Sequence, residues 1–436
     1  MTRANVQYRL LAIWTFALSL ACPSFGFDRA HFDALNHQAK LSIEKQDWNS
    51  VRSLLIEMGR ELSIPSPNYM LQMASVENRL GSKAEALSWM KRYAATGLSF
   101  NPHSSPGLKS LASDKAFQKI SADMQNHAEP VSRLDVVCAL PLADLRPEDI
   151  TFEAGSGDFI VSSLDHHTAF RVMLPKQGVG DCSLKEIPLE ESIRRWPVMA
   201  VSFDRSRNVL WLTSSAMPDY HGVPASDSGK AMLYAVDATS GKILRQFAPE
   251  TNSPAVLGDM LVASDGTVYV TDSLGGGVYR VQGDLTSAKL DKVADGFFSP
   301  QTPALAADGK RLFVADYSMG IGVIDLTTRA TGYLKHPENI AVTGLDGLYL
   351  SGDSLIGVQN GTQPERIVRY RLNRAQTEIV EAEVLQQAPH LDPTHAAFAS
   401  GTPYFVANVG WDKVDDHGDL KSGEKFTAPL LLKLSR

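Results

Sequence analysis

His395, in the run DPTHAAF, is the side chain best suited to exchanging protons near neutral pH, since an unperturbed imidazole titrates at ~6.5. It is a candidate general base, although a hydrogen-bonded lining histidine would look the same in sequence. The polar run MPDYHGVPASDSG, 217–229, offers Asp219, Tyr220 and His221 as candidate substrate contacts on a loop placed to cover a cleft. His166 and His167 are adjacent, and neighbours along a strand project to opposite faces, so joint metal ligation is not expected. The three glycines of SLGGGVYR lack the spacing and following helix that phosphate binding needs, and read as a β-turn. The sequence holds no serine nucleophile elbow, zinc-type His-Glu helix or paired-cysteine metal motif, so covalent catalysis has no support.

Positioning these residues falls to a repeat. From about Pro130 the chain turns to short β-branched runs broken by Gly, Asp and Pro, in which one phrase recurs: a turn followed by two strands. It reads PEDITFEAGSGDFIVSS, WPVMAVSFDRSRNVLWLTSS, LGDMLVASDGTVYVTDS, PQTPALAADGKRLFVADYS, LDGLYLSGDSLIGVQNG and PTHAAFASGTPYFVANVG. Spacings of about 40 to 60 residues suit four-stranded propeller blades, so the six phrases predict a six-bladed β-propeller over 130–436. Asp265-Gly266 and Asp308-Gly309 sit where tight hairpins need residues tolerant of positive φ. The ring must close, and LLLKLSR at the C-terminus is expected to share a blade with RLDVVCAL. Each phrase then starts at one mouth of the ring, which brings His395 there. Gln359 to Gly361 and Asn408, ending second strands, could line the same channel.

Residues 27–129 read as helical. Ile43, Trp48, Val51, Leu54, Leu55 and Met58 recur at mostly three- and four-residue steps, predicting one core face. Asn68 to Leu80 and Ser82 to Ala94 form a helical hairpin about Gly81, similar to a tetratricopeptide repeat, with Ala74 and Ala84 as the small residues at the helix contact. About one and a half units cannot bury their apolar faces alone, so the segment should pack on the propeller, as a stabilising cap or as a groove for a protein partner.

Arg3 and Arg9 precede the apolar run Leu10 to Ala21, which reads as a signal peptide cleaved after Gly26, with cleavage nearer Ala21, a lipoprotein anchor at Cys22 and an uncleaved anchor as alternatives. A periplasmic or secreted location without a membrane span in the mature chain is the expectation. The net charge of −7 over 436 residues, with no Lys/Arg-rich block, argues against nucleic acid as a partner. Cys138 and Cys182 would remain after cleavage, free to pair in an oxidising compartment or to stay separately buried.

The third, fourth and fifth phrases resemble the Asn-Asp, Pro-Asn-Gly and Pro-Asp-Gly phrases of the senescence marker protein/gluconolactonase family, within the wider set of calcium-dependent six-bladed propellers that includes paraoxonase-like lactonases. The resemblance spans roughly Leu134 to Arg436. It implies a central calcium or other divalent cation held at the inner-strand starts, and hydrolysis of a lactone or ester of a small molecule. Glu148 matches the family's glutamate and Asp346 its aspartate, whereas Gly258 and Gln301 stand where two asparagines belong. Carried over, the metal set is Glu148, Asp259, Gln301 and Asp346, with Asp259 turned inward to replace the missing asparagine. Asp259 and His395 then become the catalytic candidates, and Gln301 doubles as a substrate contact. Uncompensated, such carboxylates would raise one another's pKa, which favours a cation. The alternative is a non-catalytic propeller that binds a ligand or a protein.

Overall fold

A computed structural model describes residues 28–62, 64–175, 180–218 and 220–435. The proposed signal peptide and Asp219 therefore lie outside the described residues. Among the described residues, five α-helices precede a six-bladed β-propeller: α1 (Arg29–Glu44), α2 (Trp48–Glu61), α3 (Pro67–Arg79), α4 (Lys83–Ala94) and α5 (Lys115–Asn126).

The helices begin where side chains can satisfy their free amides. Asp28, Asp47, Ser66 and Asp114 each accept from a backbone N–H of the first turn, and Pro67 follows Ser66 where its missing N–H costs nothing. The α3–α4 contact closes around Ala74 and Ala86, both fully buried, with Met70, Met90 and Phe117 around them. Ala84 is exposed, so the small residue at this contact is two positions later than expected: α4 starts at Lys83 and its first turn faces solvent. Ile43 is also exposed, and Leu35 and Ala39 carry the buried face of α1 instead.

Each blade is a four-stranded antiparallel sheet whose first strand lies innermost. The inner strands are Ile150–Glu153, Val198–Asp204, Leu257–Val262, Pro300–Leu305, Leu345–Ser351 and Ala396–Ala399, one per repeated phrase. The sixth blade takes its outer strand, Leu134–Ala139, from the start of the ring and pairs it with the C-terminal strand Leu430–Leu434. This closure removes open sheet edges and fixes the ring. A disulfide joins Cys138, on that outer strand, to Cys182 beside the first blade. The fifth blade gains a short fifth strand, Val131–Ser132.

Side chains on one inner strand cap backbone groups of the next. Val201 N–H donates to Asp149 Oδ2 at 2.8 Å, Phe203 N–H to Thr151 Oγ1 at 3.0 Å, Ala396 N–H to the Tyr349 hydroxyl at 2.8 Å, and the Thr302 hydroxyl to Asp346 O at 2.9 Å. These bonds set the phase of neighbouring blades. Blade faces supply the cores, as where Trp211, Phe247, Val270 and Tyr279 meet between the second and third blades.

The helices dock against the face where the inner strands begin. Arg29 donates to Phe297 O at 2.7 Å, Phe32 meets Phe298 edge-on at 5.3 Å, Ser99 N–H donates to Gln363 O at 2.6 Å, and Gln387 donates to His127 O and Glu129 O. Arg92 grips Glu338 through two bonds of 2.5 and 2.8 Å. None of the described helices is long and apolar enough to cross a membrane.

Candidate functional site

At the helix-bearing mouth of the ring, residues as far as 247 positions apart meet. Ligand atoms of Glu148, Asp346 and His395 all lie within 4.8 Å of one another, and all three residues are buried. Glu148 and Asp346 hold their places through neighbours from other turns: Trp411 Nε1–H donates to Glu148 Oε2 at 2.6 Å, and Asn360 Nδ2 donates to Asp346 Oδ2 at 2.6 Å. Burial, then the charge of Asp346, raises the Glu148 pKa; burial also raises that of Asp346, with His395 opposing it.

His395 is 2% exposed and both ring nitrogens face acceptors. Nδ1 sits 2.6 Å from the Glu148 carbonyl oxygen, and Nε2 lies 2.7 Å from Asp259 Oδ1. The second contact is an ion pair without hydrogen-bond alignment, since Nε2 has no linear partner. Burial pulls the His395 pKa down, but Asp259 and Tyr349 outweigh it and the net shift is strongly upward. Both ring nitrogens are thus directed at protein oxygens, one a carbonyl and one a carboxylate, and the upward shift favours the protonated ring. Asp149, beside it, is pushed up to about 7 by burial, while Val201 N–H and Ile150 N–H bind its two oxygens.

The expected residues divide accordingly. Asp259 does turn inward, but its carboxylate falls outside the Glu148–Asp346 set and lines the channel beyond His395. Gln301 has its amide nitrogen on Ser299 Oγ at 3.0 Å, and its Oε1 faces Gly258, 3.5 Å from where a Cβ would stand. Tyr220 and His221 do sit on a loop at this mouth, yet each is engaged by protein: Tyr220 is buried against Gly418, while His221 lies 3.2 Å from Asp419. The 216–230 and 410–428 loops thereby close on each other, with fully buried Arg146 between Trp411, Tyr220 and Phe426 and paired to Asp165 at 2.9 Å.

Other expectations shift for local reasons. His166 and His167 occupy a turn, not a strand, with His167 at φ 50°. They still serve separately: His166 lies 3.3 Å from Asp144, and His167 Nδ1 meets Arg194 O. Asn408 binds Ala428 O and Thr427 within the 410–428 loop, and Gln359 is fully buried on Arg366 and two backbone carbonyls. Trp411 and Asp149 were missed. Trp411 directly follows the sixth phrase, but its bond to Glu148 spans 263 positions and exists only once the ring closes.

An oxygen-donor set for a divalent cation is present: the Glu148 and Asp346 carboxylates, with Asn360 Oδ1 buried beside them and without a hydrogen-bond partner. Hard cations take such carboxylate and amide oxygens. The residues therefore fit a calcium-like ion, with Asn360 where the expected set had Asp259.

Fold and mouth together define a six-bladed propeller with a buried acidic axis. No family model matches the chain, and neither does any curated protein. Among solved structures it is similar to the PQQ-bound aldose sugar dehydrogenase of Streptomyces coelicolor, at 16% identity and TM-score 0.46, over 71% of this chain and 98% of that one. It is also similar to the calcium-binding protein regucalcin of Agrobacterium tumefaciens, at 14% and 0.45, over 66% and 90%. Virginiamycin B lyase of Staphylococcus aureus is similar at 16% and 0.41, over 62% and 80%. These likenesses concern the fold.

Proposed function

We propose that the protein is an exported, divalent-cation-dependent hydrolase that opens a lactone or ester of a small organic molecule at the Glu148–Asp346 mouth. The observation that carries this reading is the pairing of two buried carboxylates, both with raised pKa, beside an amide oxygen that no donor satisfies. A bound cation would polarise the substrate carbonyl and stabilise the oxyanion. Glu148 and Asp346 would hold it. The Trp411 indole N–H fixes one Glu148 oxygen, and the Asn360 amide N–H fixes one Asp346 oxygen while its own Oδ1, without a donor, would join the carboxylates at the cation. His395, held between the Glu148 carbonyl and the Asp259 carboxylate, acts as a positioning residue. The loops at 216–230 and 410–428 and the docked helices restrict entry to small substrates.

A second reading, a propeller that binds a ligand or protein without turnover, is favoured by His395 itself, because its engaged nitrogens leave the mouth without a free imidazole base. A panel of lactones and aryl esters assayed with calcium and with chelator separates the two. Metal-dependent turnover supports the hydrolase. Calcium binding with no turnover across the panel supports the binding protein. Export is tested by the N-terminal sequence of the chain recovered from periplasm or medium, which should begin at Phe27.

A further inference from the structure

The axial channel has a second end. Beyond His395, away from the Glu148–Asp346 mouth, lies a cavity of about 290 Å³ lined by the far halves of the inner strands, with Asp149, Asp259, Tyr349 and His395 at its head. Its lower rim is apolar and only half-buried: Phe152, Phe203, Leu261, Val262 and Phe398 come from four different blades. The helices and the long loops gather at the opposite face, so this end is left uncovered by them. At its head Asp259 Oδ2, on a residue 2% exposed, has no hydrogen-bond partner. A buried polar atom with no partner is costly, and natural proteins retain few of them.

We infer that this lower channel is a second binding site, separate from the Glu148–Asp346 mouth, for a small protonated amine with an aromatic or aliphatic body. The carboxylate oxygen can only accept, so the ligand's head must donate. Asp149 and Asp259 place two carboxyl groups at the head of the cavity, so an anionic head is disfavoured there and a donating ammonium head is favoured. The rings of Tyr349 and Phe398, 5.9 Å apart and tilted, supply faces that favour a cation and a flat body. The volume lies near the lower limit of ligand pockets, which sets the size to a single ring with a short chain. The inference goes beyond the hydrolase reading and does not depend on it.

The test uses the full mature chain with 2-phenylethylamine as probe, followed by calorimetry and thermal unfolding, beside 2-phenylethanol and phenylacetate as neutral and anionic counterparts of similar shape. Saturable binding of the amine, at least about tenfold tighter than of either counterpart, is expected from a charge-assisted hydrogen bond to a buried carboxylate. Ser202→Trp, which fills the cavity without removing a buried charge, should abolish it. Asp259→Asn should weaken it by a similar factor, while Glu338→Gln, at the helix-bearing face and remote from the cavity, should leave it unchanged. Equal response to all three probes, no saturable binding by the wild type, or amine binding that survives Ser202→Trp and is displaced by calcium would each overturn the inference. Because the readout is binding, failure of lactone turnover leaves these outcomes unaffected.

Discussion

Replacing His395 with alanine should unfold the protein more readily, not merely silence it. The ring is 2% exposed and stands between the Glu148 carbonyl at 2.6 Å and Asp259 at 2.7 Å. Removing it leaves Asp259, itself 2% exposed, as a buried charge without its counter-ion. Breaking a buried pair from one side costs about 3–5 kcal/mol, because the surviving charge has lost its partner in a medium that solvates it poorly. The charge-assisted bond to the Glu148 carbonyl, worth about 1.5–3 kcal/mol by itself, overlaps with that figure instead of adding to it. Removing both partners behaves differently: a buried pair replaced by apolar groups of similar size is often neutral or stabilising. The double variant His395→Leu/Asp259→Leu should therefore be more stable than His395→Ala. Urea unfolding followed by tryptophan fluorescence measures both, with a fall in midpoint at unchanged slope marking a stability effect. A loss below about 1 kcal/mol for His395→Ala, or a double variant as unstable as the two single losses combined, would refute the view of this histidine as the buried structural partner of Asp259.

Reducing the Cys138–Cys182 disulfide frees a loop with a sequence separation of 44 and should cost about 4 kcal/mol in the chain-entropy account, read as a lower urea midpoint in reductant or in Cys138→Ser/Cys182→Ser. Gly258→Asn should tighten calcium binding, since a Cβ there meets only ordinary contacts of 3.4 and 3.5 Å and the added carbonyl faces the mouth beside Gln301; unchanged affinity by calorimetry would show that the position does not reach the ion. Burial lowers the His336 pKa, so the folded state keeps this ring neutral while the unfolded chain protonates it near ~6.5. Its contribution is therefore full above that value and is lost as pH falls towards the lowered one, so His336→Asn should flatten the decline in urea midpoint between pH 7.5 and 5. An unaltered pH profile would exclude the residue from that decline.

The propeller was legible because its signal is repeated and local. Each phrase pairs an inner strand with the one that follows it, and the turn residues between them, such as Gly266 at φ 80°, are needed for that hairpin alone. The joining of the two termini followed from closure. What depends on register within one helix was less legible: Ala84 and Ala86 differ only in where α4 begins. The site was legible in outline, since Glu148, Asp259, Asp346 and His395 all converge on the axis. Their pairing was not, because it depends on heights along that axis that no spacing encodes. Asp259 and His395 come from the third and sixth blades and pair with each other, while Asn360 reaches the mouth from the end of a second strand. Trp411 is carried there by the 410–428 loop, whose course depends on the 216–230 loop from another blade.

Whether Glu148 and Asp346 form a cation site is decided by calcium titration of the purified mature chain by calorimetry, paired with thermal unfolding. One saturable site is predicted, with stabilisation of about 2.7 kcal/mol at a hundredfold excess over the dissociation constant, and loss of both signals in Asp346→Asn. No heat and no stabilisation by calcium, magnesium or manganese, or binding that persists in Asp346→Asn, would contradict it.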